Sequence, residues 1–339
     1  MSIGAVVVLV LVHVAAIVCC NSPTFYNAKY RQHRNWKLLP IDECGLRNSR
    51  ASRVMERKTA EWAQYPWIAL IYSYSEEGDR IRCGGVIINR RYVLTAAHCI
   101  YPEGWITVTL GEYTLLDPLT CGDDACSCSE AYDLPVHRTC AEETITHPYY
   151  TSRPDGLHEE NDIALIRLND PIPSYKGTAA NHITPICLPA FAESSKYFED
   201  KLLEVVGWGQ MHSDAYLQTI TVPLVAQERC ENMWNNALVK RNFCPGGRPE
   251  CMKTITEQFI CASGIRGRGL CTGDSGVPLM VHIPLDRKSR STKTFVVGVA
   301  SHVIGDQNSD YDADCGSGVP DVFTRVSEYM TWILDNIKE

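Results

Sequence analysis

The sequence has no run of lysines or arginines, and its 32 basic residues are outnumbered by 40 acidic ones, a formal net charge of −8. Nucleic acid and anionic membrane are therefore poor candidates for its main partner, since both attract clustered positive charge. Past Val18 no stretch is apolar enough to span a bilayer, which needs about 20 such residues. No Asn-x-Ser/Thr glycan acceptor and no internal repeat occurs, and the absence of a Cys-x2-Cys pair weighs against a zinc site. What is present is an ordinary globular composition, 45% apolar and 21% charged, with sixteen cysteines. The first 18 residues are almost wholly apolar, with Ala15 and Ala16 near the end and polar Asn21 and Ser22 following. This pattern predicts a signal peptide over residues 1–20, a signal anchor being the alternative. Behind such a segment the cysteines read as a disulfide framework in a secreted, extracellular protein. Cleavage after Cys20 leaves fourteen cysteines, enough for seven bridges; cleavage after Ala16 leaves Cys19 and Cys20 as well.

Residues 21–53 are polar and basic without a clear period, which predicts a short extended leader carrying one cysteine, Cys44. Short β-like runs then alternate with Gly, Pro and Asp, at residues 67–72, 85–95, 106–110, 162–168, 203–206 and 295–300, as in a sandwich or barrels. At the end Val326, Met330, Ile333 and Ile337 form one apolar stripe of a closing helix.

A hydroxyl becomes a useful nucleophile when a base takes its proton, and the base needs a third group to fix its tautomer. Three settings supply those types: His98 in Leu94-Thr95-Ala96-Ala97-His98-Cys99, Asp162 in Asn161-Asp162-Ile163-Ala164-Leu165, and Ser275 in Gly273-Asp274-Ser275-Gly276. Together with Pro66-Trp67, Gly207-Trp208-Gly209 and Thr324-Arg325-Val326, and in the chain order His, Asp, Ser, they resemble the trypsin and chymotrypsin family over Val54–Glu339. The resemblance implies an all-β fold of two antiparallel six-stranded barrels with a C-terminal helix. It also implies a serine endopeptidase domain over residues 54–339.

Carried over residue by residue, the resemblance makes His98 general base and then acid, Asp162 its orienting partner and Ser275 the acyl-forming nucleophile. The N–H groups of Gly273 and Ser275 would form the oxyanion hole, and Ser301 would line the pocket and meet substrate backbone. Arg53-Val54 matches the activation cleavage site, twelve residues before Pro66, and the new Val54 amino group would pair with Asp274. Residues 21–53 would then be a propeptide that stays as a light chain. Val54-Met55-Glu56-Arg57 departs from the family's Ile-Val-Gly-Gly and loses two hinge glycines. The implied bridges are Cys83 with Cys99, Cys230 with Cys261, Cys271 with Cys315, and Cys44 with Cys187 as tether. Leu203 and Val281 would replace a further bridge by an apolar contact, and Cys244 and Cys251 remain to pair within an insertion. Cys121, Cys126, Cys128 and Cys140 allow three connectivities. Tether and insertion resemble arthropod clip-domain proteases, although one mature leader cysteine is too few for a clip domain.

The specificity pocket departs from the trypsin pattern. Gly269 stands where trypsin-like members carry Asp, and Asp321 stands where Gly is usual, so a carboxylate has moved between pocket walls, as in the crab collagenolytic proteases. Leu270 and Val303 replace smaller residues, His302 replaces a common Trp, and Val277 replaces a Gly. Asp321 either faces substrate as an anion, giving mixed specificity, or is neutral or turned to solvent. The expected partners are protein substrates, an upstream activating protease and protein inhibitors; no cofactor, metal, nucleic acid or membrane is expected. The competing class is a non-catalytic protease homologue acting as a binding or regulatory module.

Overall fold

The computed structural model describes residues 25–46, 58–115, 136–153, 159–172, 182–191, 201–209, 216–271, 273–284, 292–304 and 315–339. In chain order these form helix α1 (Ala28–Arg31) and strands β1 (Lys58–Thr59), β2 (Ile68–Tyr74), β3 (Arg80–Ile87), β4 (Tyr92–Thr95), β5 (Trp105–Leu110), β6 (His137–Thr146), β7 (Thr151–Ser152), β8 (Glu159–Glu160) and β9 (Ala164–Leu168). There follow β10 (Leu202–Gly207), β11 (Gln218–Val225), α2 (Gln227–Lys240), β12 (Phe259–Ser263), β13 (Pro278–Pro284), β14 (Thr292–His302), β15 (Pro320–Arg325) and α3 (Met330–Asn336). The first barrel closes antiparallel in the order β2-β3-β4-β9-β6-β5. The second runs β11-β10-β13-β14-β15-β12 and closes through β11 on β12, with β1 added outside β11. The architecture is the expected pair of six-stranded antiparallel barrels.

Strand sequences follow from this closure. Ile68-Ala69-Leu70-Ile71-Tyr72 is buried on both faces, one inside the barrel and one under neighbouring chain, so the run is continuously apolar instead of alternating. The apolar run at 85–95 reads as one strand but folds as two, because Asn89 turns the chain: its Oδ1 accepts from the N–H groups of Arg91 and Tyr92 at 2.8 and 2.9 Å. In β10 and β13, Leu203 and Val281 are wholly buried, one step beyond the Glu204↔Met280 pairing. The closing stripe of Val326, Met330, Ile333 and Ile337 is fully buried, on a 3-10 turn over Val326–Tyr329 followed by α3. Helix α2 buries Cys230, Trp234, Ala237 and Leu238, and Cys230–Cys261 ties it to β12. Further bridges join Cys44–Cys187, Cys83–Cys99, Cys244–Cys251 and Cys271–Cys315. Cys140 is disulfide-bonded too, while Cys121, Cys126 and Cys128 lie outside the described residues, as do residues 1–20 and 47–57.

The described part of the leader, 25–46, is not the extended tether that its composition suggests. Phe25 is fully buried against Phe191 and Phe295, with ring centroids 5.4 and 5.8 Å away. Burying such a side chain contributes about 1.5–3 kcal/mol. Tyr26 bridges to Phe191, Leu46 bridges to Lys293 of β14, and Asn27 N donates to Ala190 O at 2.9 Å. Asn35 Nδ2 donates to the carbonyls of Leu334 and Ile337 at 2.9 and 3.0 Å. Apolar anchors separated by polar residues give no single period, which is why the sequence pattern misses this packing.

Candidate functional site

The first barrel presents His98. Thr95, Ala96 and Ala97 are buried, and their small side chains let a single 3-10 turn, Ala97–Cys99, end β4 at the barrel's rim. Cys83–Cys99 pins that turn to β3. Asp162 enters from the other side. Asn161 takes φ 52°, in the left-handed region Asn tolerates, and is held by Nδ2 on Tyr149 O and by the Tyr329 hydroxyl on its Oδ1. The turn drives Asp162 inward to complete burial.

Three donors meet the Asp162 carboxylate. His98 N donates to Oδ1 at 2.9 Å, and Oδ2 takes His98 Nδ1 at 2.8 Å and Ser301 Oγ at 2.6 Å. Burial alone would raise its pKa; the charge and hydrogen bond of His98, then Ser301, hold it well below the usual carboxylate range. For His98, burial pulls the pKa down, while Asp162 and then Glu159 push it up by more, so its imidazolium is favoured above the ordinary histidine value.

The second barrel supplies the Ser275 turn. Gly273 and Gly276 have φ 89° and 76°, and a side chain at Gly276 would sit 2.4 Å from both Gly84 O and Thr95 Oγ1. That approach sets Ser275 against the end of β4, with Gly84 N donating to Ser275 O at 2.7 Å and Gly276 N to Ala300 O at 2.9 Å. Among the described residues no hydrogen bond links Ser275 Oγ to His98. Asp274, also buried, accepts from Gly209 N and Cys271 N at 2.8 and 2.9 Å. Beside it lies a narrow cleft of about 20 Å³ lined by Val205, Gly207, Ile220, Gly269, Leu270 and Asp274. Lys58 and Thr59 pair with Thr219 and Gln218 at its rim, and Val54, four residues earlier, lies with Arg53 outside the described residues.

Gly269 and Asp321 face each other: a side chain at Gly269 would meet Asp321 Oδ2 at 2.8 Å. Asp321 is 5% exposed, Leu270 N donates to it at 2.9 Å, and burial, aided by Asp274, raises its pKa well above the usual value. The acid is thus driven toward its neutral form instead of standing ready as an anion. Leu270 and Val277 are buried and Val303 is half-buried. Ser301 meets Asp162 through its hydroxyl, a contact that its expected place on the substrate backbone does not imply.

Two residues the sequence reading passes over also belong here. Arg82 Nη2 donates to Gly209 O at 2.6 Å and lies so close to Gly273 that a Cβ there would be 2.5 Å away. Its signal was only its place before Cys83. Glu159 stands 3.4 Å from His98 Nδ1. Nothing in His158-Glu159-Glu160-Asn161 tells which acid turns inward, since that depends on the conformation of Asn161.

A family model described as Trypsin matches residues 54–333. The chain is similar to the CLIP domain-containing serine protease HP8 of Bombyx mori, 33% identical over 89% of this chain and 74% of that protein. Among solved structures, the Drosophila Grass clip serine protease of the Toll pathway has a TM-score of 0.60 at 26% identity, covering 86% of this chain and 74% of that one. The HL collagenase structure has a TM-score of 0.59 at 28% identity, covering 84% of this chain and all of the other. Among the described residues no helix is long and apolar enough to cross a membrane.

Proposed function

The chain belongs to the trypsin family of serine proteases, and from that premise we propose that it is a secreted endopeptidase, made as a zymogen, whose catalytic groups are His98, Asp162 and Ser275. The observation that carries this reading is the Asp162–His98 pair, with both carboxylate oxygens on one histidine, just past the Thr95 end of β4 that meets the glycine-flanked Ser275 turn. Nδ1–H bound to Asp162 leaves Nε2 free to take the Ser275 hydroxyl proton. As the substrate carbonyl is attacked, the proton passes to Nε2 and then to the leaving amine. The N–H groups of Gly273 and Ser275 would receive the oxyanion, losing either being expected to slow turnover about 100- to 1,000-fold.

Activation by cleavage between Arg53 and Val54 is supported by the apolar lining of Val205, Ile220 and Leu270 beside the buried Asp274 carboxylate, a cleft that would have to widen to take the Val54 side chain and pair its amino group. From Lys58 the four residue steps back to Val54 reach about 13–14 Å when extended. A partner protease of trypsin-like preference would make the cut, and the similarity to a clip protease of the Toll pathway supports a place in an extracellular cascade. Its substrates, and the inhibitors that would stop it, are proteins. The test is labelling by a fluorophosphonate before and after cleavage at Arg53. The expected result is label only on the cut protein, and none on Ser275→Ala or on uncut Arg53→Gln. Absence of label on the correctly cut wild-type chain would overturn the reading in favour of a non-catalytic homologue.

A further inference from the structure

We infer that Glu159 is a second carboxylate partner of His98, a positioning residue that shares the imidazole Nδ1–H with Asp162 and whose backbone is itself tied to His302; this rests on the proposed role of His98 as base. Glu159 Oε2 lies 3.4 Å from His98 Nδ1, against 2.8 Å for Asp162 Oδ2, so the ring N–H has two carboxylates within reach. Its other oxygen accepts from the Tyr150 and Ser152 hydroxyls, both at 3.2 Å. The side chain is only 9% exposed. A carboxylate so placed is not a solvated surface charge, and a second anion beside an imidazolium adds to the first.

The hydrogen bonds around His302 have one consistent set of directions. The Glu159 backbone N–H donates to His302 Nε2 at 2.9 Å, so that nitrogen is the acceptor and Nδ1 carries the proton. Nδ1–H then donates to Ser301 Oγ at 2.9 Å, and the Ser301 hydroxyl donates to Asp162 Oδ2. Glu159 therefore touches the pair twice: its side chain meets His98 directly, and its backbone sets the chain of donors that ends on Asp162. His302, 2% exposed, is explained as the link between β14 and β8.

The titratable groups facing the pair are Asp162 from its own turn, Glu159 of β8, Tyr150 before β7, His302 of β14 with Lys253 Nζ 3.3 Å from its Nε2, and Tyr329 before α3. Burial, then Glu159, keeps the Tyr150 hydroxyl protonated across the working range. Of these groups, Glu159 and Asp162 are the ones that push the His98 pKa up.

The experiment uses the full chain with Ser275→Ala, in which the His98 imidazole is titrated by NMR with and without Glu159→Gln, a change that keeps size and an acceptor for both hydroxyls. The expected result is a fall in the His98 midpoint of about one pH unit, a tenfold loss of proton affinity, with a smaller fall for Glu159→Asp, which keeps the charge but retracts it. In the active enzyme the same Gln change moves the acid limb of kcat/KM to lower pH and leaves KM unchanged. An unmoved midpoint in Glu159→Gln, or an Asp variant that loses as much as Gln, overturns the proposal. The titration needs no turnover: an inactive wild-type chain would refute the endopeptidase reading while the midpoints still decide the role of Glu159.

Discussion

Asp162 and Asp321 are both buried carboxyls, and their surroundings drive them in opposite directions. Asp162 receives three hydrogen bonds and a neighbouring imidazole, so its anion is favoured despite complete burial. Asp321 receives one backbone N–H and shares its neighbourhood with Asp274, so the same burial leaves it favouring the neutral acid. Burial sets the size of the electrostatic stakes, and the count of donors sets the sign. One carboxyl is thereby fitted to stabilise a neighbouring cation, and the other to stand uncharged among its neighbours.

The largest expected effect comes from removing the Asp162 charge. Asp162→Asn should lower kcat by about 10⁴-fold at neutral pH, as loss of the orienting acid does in this kind of triad, whereas Asp321→Asn should change kcat/KM on apolar substrates only by a few-fold. Steady-state kinetics on both purified variants checks this, and comparable losses would dissolve the contrast. A middle-sized effect concerns specificity. Because Asp321 ionises only above the usual carboxylate range, the kcat/KM ratio for Arg over Leu before the cleaved bond should climb as pH rises beyond that range. The climb should reach roughly tenfold per charge interaction of 1.4 kcal/mol, and it should be flat in Asp321→Asn. A ratio already high and level at pH 6 would mean an ionised Asp321.

The smallest effect is on stability, and here the signs oppose. Asp162 has a lowered folded pKa, so its contribution is present above the ordinary carboxylate value and disappears as pH falls through the folded one. Asp321 has a raised folded pKa, so the unfolded chain, which ionises first, gains as pH climbs from about 4. Asp321→Asn should therefore raise Tm at pH 7 by about 2–4 °C, the shift given by about 1 kcal/mol in a domain of this size, and do little near pH 4. Calorimetry at the two pH values tests it; a lowered Tm at pH 7 would show that Asp321 is stabilised as an anion.

The barrels were legible because their strands alternate with turn residues and because the motifs around His98, Asp162 and Ser275 resemble one family. The hairpin at Asn89-Arg90-Arg91 divides what reads as one β-like run, since the turn depends on one side-chain oxygen accepting two N–H groups. Helix α2 shows in the sequence only as Cys230, Trp234 and Leu238 four residues apart, a stripe too narrow among polar residues to mark a helix by itself. Within the site, Gly269 and Asp321 could be paired from the sequence, but the ionisation of Asp321 could not, as it depends on how many donors the fold aims at it. Glu159 was invisible for a related reason: its role follows from the left-handed turn at Asn161, not from its own identity.

The packing of residues 25–46 closes the chain on itself. Cys44 joins Cys187, Asn35 holds the end of α3, His33 meets Asp335 at 3.0 Å and Lys37 meets Glu339 at 2.9 Å. Seen as a line, the polypeptide is thus a loop whose early and late portions are clasped together, and a cut between Arg53 and Val54 opens the loop at one point without letting either clasped portion go. Reduction of Cys44–Cys187 alone would not undo it, because Phe25 and the contacts to α3 remain. A single scission there would give one new chain end while Cys44–Cys187 and the contacts of residues 25–46 kept the two parts joined.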